Sequence, residues 1–188
     1  MARPVFASIL RGGDRRSIGE ANRTVTLIIR KPERFQELLE CLWHDDPVVR
    51  MRAADAAEKI SAQRPELLYP FKAELLGLAA ETSQQELRWH LALIIPRLPL
   101  TETERERGCA LLREFLNDRI SIKKGSIEKG SIKNGSIVKT CALQGLAELA
   151  RGDPELKAEV AEIMEQASRN GTAAMRARAR KLLPRLQD

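Results

Sequence analysis

Cys41 and His44 stand three residues apart, a spacing that brings a thiolate and an imidazole to one side of a helix as two corners of a tetrahedral metal site. No second pair follows at ligand spacing, so no metal is expected. His90 has no serine or cysteine close by in the chain to complete a nucleophilic triad, and no catalytic residue or cofactor is expected either. Two other sets remain. One is a basic row, Arg50, Arg88, Lys139 and Arg176, each preceded by an apolar residue. The other centres on Trp89, whose ring would anchor a peptide well if it lay open in a groove.

The basic row recurs because the elements that carry it recur. Aligned on Val49-Arg50, Leu87-Arg88, Val138-Lys139 and Met175-Arg176, the fourth position onward holds Ala53, Leu91, Ala142 and Ala179. The eighth holds Ala57, Ile95, Leu146 and Leu183, and the eleventh Ile60, Leu98, Leu149 and Leu186. Those spacings keep one face of a 3.6-residue helix apolar. One template at four places is a period, and a period of this size means a stack of helical pairs. The first copy opens on Asp45-Asp46-Pro47, a loop followed by a proline in the first helical turn.

The run Asp46-Pro47-Val48-Val49-Arg50-Met51-Arg52-Ala53-Ala54 carries the pattern Asp-Pro-x-Val-Arg-x-x-Ala-Ala in full. Leu87-Arg88-Trp89-His90-Leu91-Ala92 carries it in part, and Met175 to Arg180 only weakly. On these residues the chain resembles the HEAT-repeat family, in particular short bacterial HEAT-like proteins related to phycobilisome-lyase repeats, over roughly residues 33–188. The resemblance implies an all-α, right-handed α-solenoid of about four helical pairs behind an N-terminal helical cap at residues 1–31. It implies a single domain over residues 1–188. It also implies that Arg50, Arg88, Lys139 and Arg176 ladder between neighbouring repeats, pairing with loop carboxylates such as Asp46.

Local signals place the helices. Asp14 is expected to cap a helix over about Arg16–Ile29, and Pro32 to open the next, with Phe35, Leu38, Leu39 and Leu42 inward. Thr82 or Ser83 caps a helix from Gln84 to Leu98 that Pro96 kinks or ends early. Thr101 and Glu104 form a capping box. Asp153-Pro154 starts another helix, Asn170-Gly171 ends it, and a last one runs from Ala173 to Leu186.

One spacing is out of line. The repeats are 38 and 37 residues apart at Val49–Leu87 and Val138–Met175, but 51 apart between Leu87 and Val138. Three tandem pentapeptides over residues 121–135, Ser-Ile-Lys-Lys-Gly, Ser-Ile-Glu-Lys-Gly and Ser-Ile-Lys-Asn-Gly, account for it. They copy the first residues of the next helix, Ser136-Ile137-Val138-Lys139, as a tandem duplication would. Gly125, Gly130 and Gly135 argue against continuous helix, so a tolerated surface loop is expected.

Composition fits an ordinary soluble domain. At 188 residues and 43% hydrophobic the chain can bury a sizeable core. It has no 18-residue apolar run and no signal-peptide pattern, so a cytoplasmic monomer that does not enter membranes is expected. Cys41, Cys109 and Cys141 read as buried thiols rather than a disulfide framework. The net charge of +6 is uneven: residues 1–31, 119–135 and 171–188 carry +5, +4 and +4, leaving about −7 for the rest. A uniformly basic chain would point to nucleic acid; this distribution does not.

Opposite the apolar stripe lie Met51, Asp55 and Glu58, then Trp89, Leu93 and Pro96, then Thr140, Gln144 and Ala147, then Ala177, Lys181 and Pro184. In a HEAT-like superhelix that side would be the concave surface. Its apolar centre suggests a non-enzymatic scaffold that binds a protein or peptide through Met51, Asp55, Trp89, Leu93, Gln144 and Lys181. The alternative is a nucleic-acid binder resembling the HEAT-like DNA alkylation-repair glycosylases, which use Trp and Asp in a basic cleft. Here Trp89 and Asp55 invite the comparison, but Lys181 is the one cation at the cleft positions, and phosphate binding needs several.

Overall fold

Short prolines and capping side chains divide the sequence into helices, and the structure follows those divisions. A computed structural model describes residues 5–14, 17–117 and 134–187. Its helices are α1 (Val5–Leu10), α2 (Ala21–Arg30), α3 (Phe35–Glu40), α4 (Pro47–Ser61), α5 (Lys72–Glu81) and α6 (Gln85–Ile94). There follow α7 (Glu102–Leu116), α8 (Ser136–Leu149), α9 (Pro154–Asn170), α10 (Ala173–Leu182) and α11 (Pro184–Gln187). Among the described residues there is no strand, so the protein is all-α. The tandem pentapeptides lie outside the described residues, except Asn134 and Gly135.

The caps do what their chemistry allows. The Asp46 side chain accepts from Val48 N–H at 2.9 Å, and Thr101 with Glu104 closes a complete capping box on α7. Asp153 caps α9, and Thr172 caps α10. Pro96 ends α6 early: the regular helix stops at Ile94 and a 3₁₀ turn covers Ile95–Arg97. Two boundaries differ from expectation. Thr82 Oγ1 accepts from Gln84 N–H, but Gln84 is the residue flanking α6. Helix α2 starts at Ala21 rather than near Arg16, because Gly19 takes a left-handed φ of +51° that breaks helical geometry before it.

Contacts gather the chain into two compact units, Met1–Leu75 with Arg97–Pro99, and Leu76–Pro96 with Leu100–Asp188. In the first, α4 is central. Its alanines Ala53, Ala54, Ala56 and Ala57 let neighbours approach from several sides, and all four are fully buried. Phe6, Leu10, Ile28, Phe35, Leu38 and Leu42 close around it. Arg52, on the same helix, is only 2% exposed. Its guanidinium donates to the carbonyls of Leu10 (2.7 Å), Asp14 (2.8 Å) and Ser17 (3.1 Å), and also to that of Gly12. The loop after α1 is thus wrapped around one cation. Gly19 is part of the fit, since a Cβ there would sit 2.8 Å from the Arg52 guanidinium carbon. At the other end of α4, Arg97 donates to Glu58 O (2.7 Å), Ser61 Oγ (2.8 Å) and Glu58 Oε1 (2.9 Å).

In the second unit α6, α8 and α10 lie side by side as an inner layer, backed by α7 and α9. The core between the layers is Leu87, Leu91, Ile95, Leu112, Phe115, Val138, Leu146 and Val160. Gly145 lets α8 cross α6 closely: a Cβ there would collide with the Ala92 carbonyl and lie 2.9 Å from Leu112 Cδ1. Ion pairs across the outer layer, Arg105–Asp153 (2.6 Å) and Arg113–Glu159 (2.7 Å), tie α7 to α9.

Candidate interaction face

The basic row is placed by the turns that precede each inner helix. Arg50 Nη1 donates to the carbonyls of His44 (2.7 Å) and Asp45 (3.0 Å). Arg88 Nε donates to Thr82 O at 2.8 Å, and Arg176 Nη1 to Gly171 O at 2.8 Å. All three reach five or six residues back, into the loop of their own repeat. The Asp46 carboxylate meanwhile accepts from Val48 N–H, while Arg50 donates to main-chain oxygens of the turn. Arg88 does more. It is 7% exposed, lies over the Phe115 ring at 5.1 Å, and donates through Nη1 to Asn134 Oδ1 at 2.8 Å. Burial pulls its pKa below the ordinary arginine value, the Glu114 carboxylate opposing. Lys139, the fourth member, is half-buried.

Asn134 is the fourth residue of the third pentapeptide, where the first two copies have Lys124 and Lys129. Its amide nitrogen donates to Asn117 O at 3.3 Å, and Gly135 N–H donates to Gln85 Oε1 at 2.8 Å. A lysine at 134 would set its ammonium against the Arg88 guanidinium.

On the inner-layer helices the residues at the phase opposite the buried stripe are less covered than the stripe itself. On α6, Leu87, Leu91 and Ile94 are buried, whereas Trp89 and Leu93, at the opposite helical phase, are half-buried. Trp89 meets the His90 ring edge-on at 5.5 Å. On α8, Val138, Ala142 and Leu146 are buried while Ile137 is 57% exposed and Thr140 and Gln144 are half-buried. On α10, Ala177 and Lys181 are exposed. Gln144 joins two of these helices: its Oε1 accepts from Arg178 Nη1 at 2.7 Å, and its Nε2 donates to Glu148 Oε1 at 2.5 Å. A HEAT repeat domain model matches residues 13–186.

The chain belongs to the HEAT-repeat family. No curated protein and no solved structure matches it.

In this HEAT chain the expected groove residues fall into two groups. Trp89, Leu93, Gln144 and Lys181 share the inner layer of the second unit. Met51 and Asp55 are in the first. Met51 is half-buried, and Asp55 is only 9% exposed, because α2 packs on that side of α4. Asp55 Oδ2 accepts from Lys59 Nζ at 2.7 Å, and the same ammonium donates to Asn22 Oδ1 on α2 at 2.8 Å.

Cys41 and His44 do not converge. Cys41 is buried in a 3₁₀ turn after α3, where burial, then the Glu40 and Glu37 carboxylates, push its thiol up to about 12. His44 Nδ1 accepts from Asp46 N–H at 2.9 Å, and its Nε2 meets Arg11 Nη2 at 3.2 Å. Two clefts open instead beside α7 and α9, the first reaching α8 and α10. One of about 360 Å³ has Leu116, Leu143, Ile163, Ala167 and Met175 in its lining. The other, about 280 Å³, is crossed by the Arg105–Asp153 and Arg113–Glu159 pairs. Cys109 lines it, with its thiol raised by burial.

Residues that sequence reasoning passed over include Ile137, Arg178 and Trp43. Arg178 falls one position after Ala177 in the helical phase, a signal too slight to find without knowing that α8 lies beside it. Trp43, 51% exposed at the end of the turn after α3, stands on the first unit.

Proposed function

We propose that this HEAT-repeat protein is a non-enzymatic docking module that holds a protein segment across the inner face of its second unit. Trp89 and Leu93 supply the anchor, with Gln144 and Lys181 as polar flanks. The observation that carries this reading is an apolar strip by helical phase, with Trp89 and Leu93 half-buried and Ile137 57% exposed, opposite the buried stripes of α6 and α8. Such strips, led by Trp and rimmed by polar groups, are where interface energy concentrates. The protein acts as a monomer in the cytoplasm. In support, none of Cys41, Cys109 and Cys141 is in a disulfide, and among the described residues no helix is long and apolar enough to cross a membrane.

The nucleic-acid reading draws support from the cations of α10. It loses support at Asp55, since a carboxylate already held by Lys59 and almost fully covered is poorly placed to act on a base. The test is co-purification from the native cell with wild type, Trp89→Ala and Trp43→Ala, all checked for equal melting temperature. A protein partner lost with Trp89→Ala and kept with Trp43→Ala supports the docking face. A partner unaffected by Trp89→Ala, or a Trp89→Ala protein that melts several degrees lower and binds normally, sinks it.

A further inference from the structure

The inner face is not uniform along the stack. Its α6 row is apolar, Trp89 and Leu93; its α8 row is small and polar, Thr140 and Gln144; its α10 row is cationic. From Gln166 to Gln187 there are six Lys or Arg and no Asp or Glu. Arg176 and Arg180 are exposed, and Arg176 is held by its own turn through the Gly171 carbonyl. Arg178, Lys181 and, one turn further, Arg185 are different. Arg178 leans toward α8, where it meets a neutral amide: Gln144 stands between it and Glu148, accepting from the one and donating to the other. A carboxylate in the place of Gln144 would have neutralised Arg178. An amide holds the guanidinium in position and leaves its charge in force.

Resting on the docking role proposed above, we infer that the partner is an extended acidic segment, with one bulky apolar residue seated at Trp89 and Leu93 and its Asp or Glu side chains reaching Arg178 and Lys181. Adjacent helix axes lie about 8–10 Å apart, so crossing from the α6 row to the α10 row spans about 16–20 Å. At roughly 3.3 Å per residue of extended chain, the acidic side chains fall about five or six positions from the apolar anchor. Acids on the face itself are few. Glu86 is half-buried at the start of α6, and Glu148 is held by Gln144.

The test is a display selection of random 16-residue peptides on the whole protein, followed by binding of the enriched peptides as synthetic fluorescent probes. Enrichment of a bulky apolar residue with Asp or Glu five or six positions away is the expected result. For such a probe, Arg178→Glu and Lys181→Glu should each weaken binding about threefold to tenfold, more at low salt than at high. Trp89→Ala should weaken it about thirtyfold or more. Neutral or basic consensus peptides that still need Trp89 would overturn the acidic partner and leave the docking face standing. Enriched peptides indifferent to Trp89→Ala would overturn the docking face itself. A random single-stranded DNA of 20 nucleotides is the third probe. Tighter binding of it than of any peptide, lost on Lys181→Glu and untouched by Trp89→Ala, would mean the cations serve nucleic acid, and the inference fails.

Discussion

Arg52 Nη1 lies 2.7 Å from the carbonyl oxygen of Leu10, a residue 42 positions earlier in the chain. The side chain is among the largest fully buried ones in the protein, and its charge is satisfied by main-chain oxygens of the loop between α1 and α2. The N-terminal segment is therefore part of the first unit's core, organised around a cation.

Replacing Arg52 by Met keeps the volume and removes the donors. The carbonyls of Leu10, Gly12, Asp14 and Ser17 would lose their shared partner, a loss of about 3–5 kcal/mol. Arg52→Lys should recover little of it, since one ammonium cannot span the fork. Urea midpoints and the rate of tryptic cleavage before residue 20 report it. A midpoint unchanged in Arg52→Met would show the clamp to be dispensable.

Arg50→Ala should cost about 1–2 kcal/mol, the usual size of charge-assisted bonds to carbonyls. The damage belongs to the His44–Asp45 turn, so amide exchange should rise there and at the start of α4. Faster exchange spread into the following repeat, with the turn itself protected, would speak for a role between repeats instead.

Asn134 corrects what the duplicated pentapeptides suggest. Deleting residues 121–135 as a unit removes Asn134 and Gly135 and brings Arg119 and Ile120 to their places, so a cation faces Arg88. That deletion should lower stability by about 1–3 kcal/mol. Deleting only Ser121–Gly130 keeps the third copy and should be neutral. Asn134→Lys, which restores the residue of the first two copies, should resemble the full deletion. Thermal melts of the three proteins beside the parent decide it.

Acid sensitivity has a definite sign at Asp153. The Leu156 N–H and then the Arg105 guanidinium hold its carboxyl below the ordinary value of 3.8. A lowered folded-state pKa means that the stabilisation is fully present above about that value and disappears as pH falls through the folded one. Asp153→Asn keeps a capping oxygen and loses the ion pair. Its melting temperature should therefore fall less steeply than wild type below pH 3.8. Parallel acid limbs would remove Asp153 from the account.

Much of the fold could be read from local chemistry. Asp46-Pro47, Thr101 with Glu104, and Pro96 each act within a few residues, so their effects on α4, α7 and α6 are visible in the sequence. The apolar stripe of each inner helix is equally local. What escaped depends on distant partners. Arg52 looks like one more helix-surface charge, because main-chain carbonyls leave no residue pattern. Asp55 has the helical phase of an open face, yet α2 covers it. Gln144 gives no sign of Arg178, which comes 34 positions later and meets it only when α8 and α10 lie side by side. Asn134 differs from Lys124 and Lys129 in plain view, but the difference has meaning only once Arg88 is seen opposite.

The arginines that bind their own turns have a consequence for how such a chain grows. A repeat whose buried cation depended on a carboxylate next door could be copied only together with its neighbour. Here Arg50 and Arg176 donate to carbonyls of the loop before their own helix, and Arg88 does so while also donating to Asn134 of the following repeat. Around Arg50 and Arg176, a stretch of DNA encoding one loop and one helix can then be duplicated, lost or moved together with those carbonyl acceptors. At the Arg88 seam a new copy must also bring an acceptor to the place of Asn134, whereas the apolar seams are served by many side chains.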